Sequence, residues 1–189
     1  VTYNNGGLSL YGAVDVLNKA SFGKNNTADT EDDQITITAA VNYDCGFAKS
    51  YLGVHWFDNA KAVGSSSFGG DWGRMGNFKD NDGNFVHEGF GDANGWSVML
   101  GVDIPVGNGK VKTTLGYLDA SSDNKGSETA DVDQDLKRFM VGAGYEYYLS
   151  KRTTVYMGAG YLQDSIDTAQ GKSYDPSWVQ VNCGLKHKF

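Results

Sequence analysis

Apolar residues alternate with polar residues or glycine along most of the chain. This period of two is typical of a β-strand whose two faces meet different surroundings. The alternating segments run for roughly ten residues, close to the roughly 9 to 11 that a tilted strand needs to cross a bilayer. Eight segments are predicted as strands: residues 7–17, 34–44, 47–57, 95–104, 110–119, 137–149, 153–163 and 178–189.

The connections between these segments alternate between short and long. Short turns lie at residues 45–46, 105–109 and 150–152, and long connections at residues 18–33, 58–94, 120–136 and 164–177. Asn108-Gly109 suits a tight hairpin turn, whose central residues need positive φ. Short turns at one rim and long loops at the other are expected of an antiparallel transmembrane β-barrel, with both chain ends at the short-turn rim.

The alternation divides the strands into an apolar face and a polar face. The apolar face is nearly continuous, for example from Trp96 to Ile104 and from Phe139 to Tyr147. Residues predicted on the polar face are Ser9, Asp15, Thr36, Thr38, Asn42, Lys49, Asp103, Lys110, Lys112, Thr114, Arg138, Glu146, Gln180, Asn182, Lys186 and Lys188. This face is too charged for a dry core, because buried charges need partners.

Alternation by itself also fits a soluble barrel of the lipocalin type, which turns its apolar face inward. The position of the large aromatic residues favours a membrane instead. Tyr and Trp lie near strand ends, as in an interfacial aromatic girdle: Tyr43, Trp56, Trp96, Tyr117, Tyr145, Tyr147 and Tyr161. The long loops at one rim point the same way.

Composition argues against several classes of protein and of functional site. No run of about 18 apolar residues is present, which excludes a helical membrane protein, and a mean hydropathy of −0.43 does not separate a barrel from a soluble protein. The net charge of −7 argues against a nucleic-acid partner. Cys45 and Cys183 lack a CxxC spacing, so neither a metal nor a redox site is expected.

The charged residues of the polar face are the candidate functional residues. Those predicted to line a pore are Lys49, Lys110, Lys112, Arg138, Lys186, Asp15, Asp103 and Glu146. Charged rings of this kind bias which ions enter a channel. The alternative is a solvated wall in which the acids only pair with the bases.

Other chemistry is weakly indicated. The histidines His55, His87 and His187 lie in separated places with no converging partners, so no enzyme is expected. Acids in two long connections could bind a divalent cation but lack a calcium-loop spacing: Glu31, Asp32, Asp33, Asp131, Asp133 and Asp135. The connection 58–94 is rich in aromatic residues and could fold over the pore mouth, meet a neighbour, or remain an irregular surface loop.

Three segments resemble the general porins of Gram-negative bacteria, of the Neisseria and Burkholderia type. Residues 41–49 resemble the family's Tyr-Asp-aromatic-Gly hairpin, although Cys45 stands where the family usually has an aromatic residue. Residues 142–156 are similar to its Leu-Ser-Lys-Arg-Thr turn, and residues 184–189 to its terminal Gly-Leu-basic-His-basic-Phe. The resemblance covers nearly the whole chain.

The resemblance implies a barrel of 16 strands, in which the predicted segments look like strands nine to sixteen. Residues 1–189 would then be a single, N-terminally incomplete barrel domain. It also implies outer-membrane lipid surroundings, a homotrimer when full length, and termini on the periplasmic side. Leu185, His187 and Phe189 look like the signal read by the barrel assembly machinery.

The expected function is passive diffusion of small hydrophilic solutes and ions, with no cofactor. The alternative is a complete eight-stranded barrel that serves as a membrane anchor, adhesion or structural protein, with an interior filled by side chains. Its charged face would then have to pair internally. A signal peptide directly before Val1 would favour this alternative, whereas about eight further strands upstream would favour the longer barrel.

Overall fold

The computed structural model describes residues 1–17, 21–22, 28–29, 33–61, 92–122, 134–168 and 173–189. All regular structure in these ranges is β. The strands are β1 (Thr2–Asn5), β2 (Leu8–Leu17), β3 (Ser21–Phe22), β4 (Ala28–Asp29), β5 (Gln34–Asp44), β6 (Lys49–Lys61), β7 (Asp92–Val106), β8 (Gly109–Ser122), β9 (Gln134–Tyr148), β10 (Thr153–Thr168), β11 (Ser173–Tyr174) and β12 (Ser177–His187). No helix in the described residues is long and apolar enough to span a membrane.

The long strands form one antiparallel sheet in which neighbours in sequence are neighbours in space. The order is β1, β2, β5, β6, β7, β8, β9 and β10, with β11 and β12 both paired to β10. The short strands β3 and β4 pair only with each other. Within the described residues β12 pairs with β10 and β1 pairs with β2, so the sheet is open at both edges. An eight-stranded closed barrel would require its first and last strands to pair.

The sheet contains two strands that the sequence did not predict: β1, and the two-residue strand β11 within the predicted connection 164–177. Residues 2–5, which precede the first predicted strand, form β1 and pair with β2, with Tyr3 opposite Leu10. The turn is confined to Gly6 and Gly7, and Gly6 has a φ of +56° that favours glycine. The prediction that the regular structure begins at residue 7 was therefore wrong, because four polar-rich residues show too little alternation to be recognised.

The strands also extend further toward the long loops than predicted. Residues 164–168, expected to be loop, continue β10 and pair with residues 134–138 of β9. Apolar and polar residues no longer alternate regularly there. Alternation therefore cannot mark a strand that continues past the last regularly spaced apolar residue. This extension places Asp164 on the polar face opposite Arg138.

The hairpin turn between β7 and β8 lies one residue earlier than predicted. Val106 pairs with Gly109, so the two loop residues are Gly107 and Asn108 rather than Asn108 and Gly109. Gly107 has a φ of +58°, whereas Asn108 is not among the residues with positive φ. Glycine at the first central position is the requirement of a type II′ turn rather than type I′. Both turn types fit the twist of the flanking strands.

The register confirms that the sheet has two unlike faces. The apolar face is solvent-accessible over most of its area, and Val179 and Val181 on β12 are 74% and 72% exposed. The strongly buried apolar residues of the described chain instead lie on the polar face near the long loops: Phe57, Ala93, Ala120, Leu136 and Ile166. So extensive an exposed apolar face calls for lipid or a partner rather than water.

Candidate functional site

The strand register places all eight charged residues that were predicted to line a pore on the polar face. The strand register sets Lys49 opposite Asp103, Asp103 opposite Lys112, and Lys110 opposite Glu146. Residues opposite each other in adjacent strands share a face. Asp15, Arg138 and Lys186 lie on the same face by the same register, opposite Thr36, Asp164 and Thr154 respectively.

Near the short turns these residues form a charged network, defined here as Asp103, Lys110, Lys112 and Glu146. Lys110 Nζ lies 3.0 Å from Asp103 Oδ2 and 3.7 Å from Glu146 Oε2, and Lys112 Nζ lies 3.1 Å from Glu146 Oε1. The side chains are partly exposed, so each pair contributes at most about 1 kcal/mol to stability. The main effect of the network is therefore to hold positive and negative side chains in alternation along the polar face.

Lys49 and Tyr51 extend the charged network toward β6. The Tyr51 hydroxyl donates to Asp103 Oδ2 at 3.4 Å, and the Lys49 ammonium lies 5.5 Å from the centre of the Tyr51 ring. A cation at this distance from an aromatic face is attracted to the ring. The two residues add one hydroxyl donor and one positive charge to the same part of the polar face.

At the other end of the polar face, Arg138 and Asp164 form a buried ion pair. Arg138 Nε donates to Asp164 Oδ1 at 2.7 Å, and Nη2 donates to Oδ2 at 2.8 Å. Only 11% of the Arg138 side chain and none of the Asp164 side chain is exposed. The two parallel bonds match the fork geometry of guanidinium and carboxylate. Arg138 lies on the polar face as the sequence predicted, but its charge is largely neutralised by Asp164.

Glycines separate the buried pair from the charged network. Gly142 lies opposite Gly160 and Gly144 opposite Gly158, in the middle of β9 and β10. A Cβ at Gly144 would come within 2.9 Å of the Met157 carbonyl oxygen, whereas one at Gly160 would meet only the Val141 carbonyl oxygen at 3.6 Å. With Gln180 and Asn182 beside them, these glycines line a shallow concavity of about 600 Å³.

The residues proposed as an assembly signal lie at the end of β12. Leu185 is opposite Val155 on the apolar face and is 62% exposed. His187 Nδ1 lies 2.9 Å from the Thr153 hydroxyl, and the His187 and Phe189 rings meet edge to face with centroids 5.0 Å apart. The ring contact keeps the two aromatic side chains together.

The other candidate chemistry is only partly within the described structure. His87, the acids Glu31, Asp32, Asp131 and Asp133, and the aromatic residues of residues 62–91 lie outside the described residues. His55 is described, and its ring lies 5.5 Å from that of Phe57. Among the described residues, no group of three or more His, Cys, Asp or Glu side chains is placed to hold a metal ion.

Comparisons with known proteins bear on this arrangement. The sequence model of the Gram-negative porin family matches residues 1–167. The fold resembles the anion-selective porin from Comamonas acidovorans, with 24% identity, a TM-score of 0.58, and coverage of 100% of this chain and 47% of that chain. It also resembles OmpT, an outer membrane protein of Vibrio cholerae, with 16% identity, a TM-score of 0.54, and coverage of 100% and 48%. The chain thus spans about half the length of these structures. No curated protein sequence matches it.

Proposed function

The chain belongs to the family of Gram-negative porins, and we propose on that basis that the full-length protein is an outer-membrane channel for passive diffusion of small hydrophilic solutes and ions. One observation supports this most: a single sheet carries an exposed apolar face and, on its other side, the partly exposed charged network. A one-layer wall with lipid on one side and water on the other fits both faces.

The polar face supplies the proposed pore lining. Its candidates are Lys49, Lys110, Lys112, Arg138, Lys186, Asp15, Asp103 and Glu146. The described sheet covers less than half of the matched porin of Comamonas acidovorans, so the remaining wall would come from the rest of the protein. The open edges at β1 and β12 are where that remainder would pair. Such a wall leaves a water-filled channel once it reaches about 16 strands.

Planar-bilayer recording tests the channel directly. The full-length protein, refolded and reconstituted, is expected to insert in discrete steps of large conductance. A barrel filled by its own side chains would give little conductance. Insertion without such steps would contradict the channel and favour an anchor or adhesion role.

Replacing Glu146 by Gln is expected to shift ion preference toward anions. The change removes the carboxylate that both Lys110 and Lys112 contact, leaving their charges less compensated. A unit charge about 6 Å from the path contributes about 0.7 kcal/mol in water before salt screening, so the chloride-to-potassium permeability ratio should rise roughly twofold. Reversal potentials in a KCl gradient measure this ratio.

The matched control for Glu146→Gln is Asp119→Asn. Asp119 loses the same charge but lies on the apolar face, opposite Trp96. Its ion preference should stay at the wild-type value. An equal shift in both variants would contradict the assignment of Glu146 to the channel side.

We also propose that the full-length protein forms a homotrimer, that its termini face the periplasm, and that the assembly machinery reads Leu185, His187 and Phe189. Deleting the Phe189 side chain by Phe189→Ala is expected to lower the fraction of protein folded in the outer membrane, measured by resistance to unfolding in SDS. Phe47→Ala, at an exposed aromatic residue of another short turn, is the control and should assemble normally. Equal losses would remove any special role of the terminus.

A further inference from the structure

Four basic residues converge at the short-turn rim. Lys151 and Arg152 lie in the turn between β9 and β10, and Lys186 and Lys188 lie at the end of β12. The Lys188 backbone N–H donates to the Arg152 carbonyl oxygen at 2.9 Å, which holds the end of β12 against the turn. Side chains from both segments line one concavity of about 540 Å³, called here the rim concavity.

The rim concavity is rich in hydrogen-bond donors. Tyr148 and Tyr156 line it beside the four cations, and Tyr148 and Lys186 both lie opposite Thr154. Neighbouring strands are about 4.8 Å apart, so groups in one row across three strands can reach a common ligand. Within the described part of the chain, none of these six side chains makes a hydrogen bond or an ion pair.

The charge of the rim concavity is not balanced locally. Glu146 is the carboxylate in its lining, and it is already engaged by Lys112 at 3.1 Å and Lys110 at 3.7 Å. The whole chain has a net charge of −7, so this concentration of positive charge runs against the overall composition. Like charges gathered at one place repel one another unless a counter-ion lies between them.

We propose that the rim concavity binds a phosphate-type dianion. Lysine, arginine and tyrosine hydroxyl groups all offer donors, and the first two add positive charge, which suits an oxyanion with several acceptor oxygens. The dianion is either a free solute at one mouth of the proposed channel or the phosphate of a lipid headgroup. The first case rests on the proposed function, whereas the binding site itself does not.

Equilibrium dialysis with radiolabelled inorganic phosphate tests the site without requiring conduction. The full-length protein is refolded in a phosphate-free alkyl glucoside detergent, and saturable phosphate binding is expected. The double variant Lys186→Gln with Lys188→Gln should bind phosphate roughly tenfold more weakly or worse, because two charges close to a dianion are removed. Lys186→Arg should retain binding, since the charge and donors remain.

Lys137→Gln provides the control, because Lys137 lies on the apolar face opposite Asp119. Wild-type protein that binds no phosphate would overturn the proposal. So would a double variant with wild-type affinity, or a Lys137→Gln loss as large as that of the double variant. Competition by added phosphatidylglycerol would identify a headgroup as the ligand, and its absence would identify a free solute. Conductance without phosphate binding would contradict the proposed binding site but not the channel. Phosphate binding without conductance would contradict the proposed channel but not the binding site.

Discussion

Replacing Asp164 by Ala should lower the free energy of unfolding by about 3 to 5 kcal/mol, the usual cost of removing one partner of a buried ion pair. The carboxylate of Asp164 is fully buried and accepts two bonds from Arg138. Without it, the guanidinium loses both bonds while its surroundings remain largely closed to water. Denaturant unfolding of the full-length protein in detergent micelles, followed by tryptophan fluorescence, measures the loss.

Two further variants separate the ion pair from a general effect of losing an acid. Asp167→Ala changes the next carboxylate on the same strand, which is exposed and accepts one bond from Ser173 at 2.5 Å, and should cost less than about 1 kcal/mol. Combining Asp164→Leu with Arg138→Met should recover much of the stability, because an apolar pair avoids burying charge. If Asp164→Ala were no more harmful than Asp167→Ala, the buried pair would not stabilise the fold as inferred.

Replacing Gly160 by Trp should lower single-channel conductance by an amount on the order of a quarter, because the indole takes up part of the water-filled opening left by a wall of about 16 strands. Gly160 lies midway along β10 on the polar face, between Gly142 and Gln180. A Cβ there would make only an ordinary contact, so the backbone accepts a side chain. Single-channel recording in KCl gives the conductance.

Gly12→Trp is the matched control. Gly12 lies on the apolar face of β2, opposite Ala39, and a Cβ there would have nothing within 4 Å. The added indole should point toward lipid and leave conductance unchanged. A loss with Gly12→Trp and none with Gly160→Trp would reverse the assignment of the two faces.

Most of the long strands and both faces could be predicted because the period of two is local. Within one strand, the direction of each side chain follows from its position in sequence. The charged residues Lys110, Lys112 and Glu146 were therefore correctly placed on a common face before any pairing was known. Alternation failed at residues 2–5 and 164–168, where the strands contain few apolar residues to mark the period.

Whether each charged side chain is buried in an ion pair or exposed could not be predicted in the same way. Arg138 and Lys186 look equivalent in sequence, as basic residues at polar positions of a strand. Arg138 is buried against Asp164, whereas Lys186 is exposed beside other cations. The partner of Arg138 comes from a segment 26 residues away, and sequence gives no measure of that register. Asp164 was taken for a loop residue because the apolar alternation ends just before it.

By itself, the sequence determined the antiparallel strands, their apolar and polar faces, and the alternation of short turns with long loops. It could do so because successive side chains in a strand point to opposite faces. Only the tertiary structure decided which charged residues pair and where the polar face is closed to water. It also decided where glycines leave that face without side chains, and which hydrogen-bond donors lie together at the short-turn rim. Those features depend on the register between strands, which turn geometry and the matching of apolar faces across neighbouring strands set together.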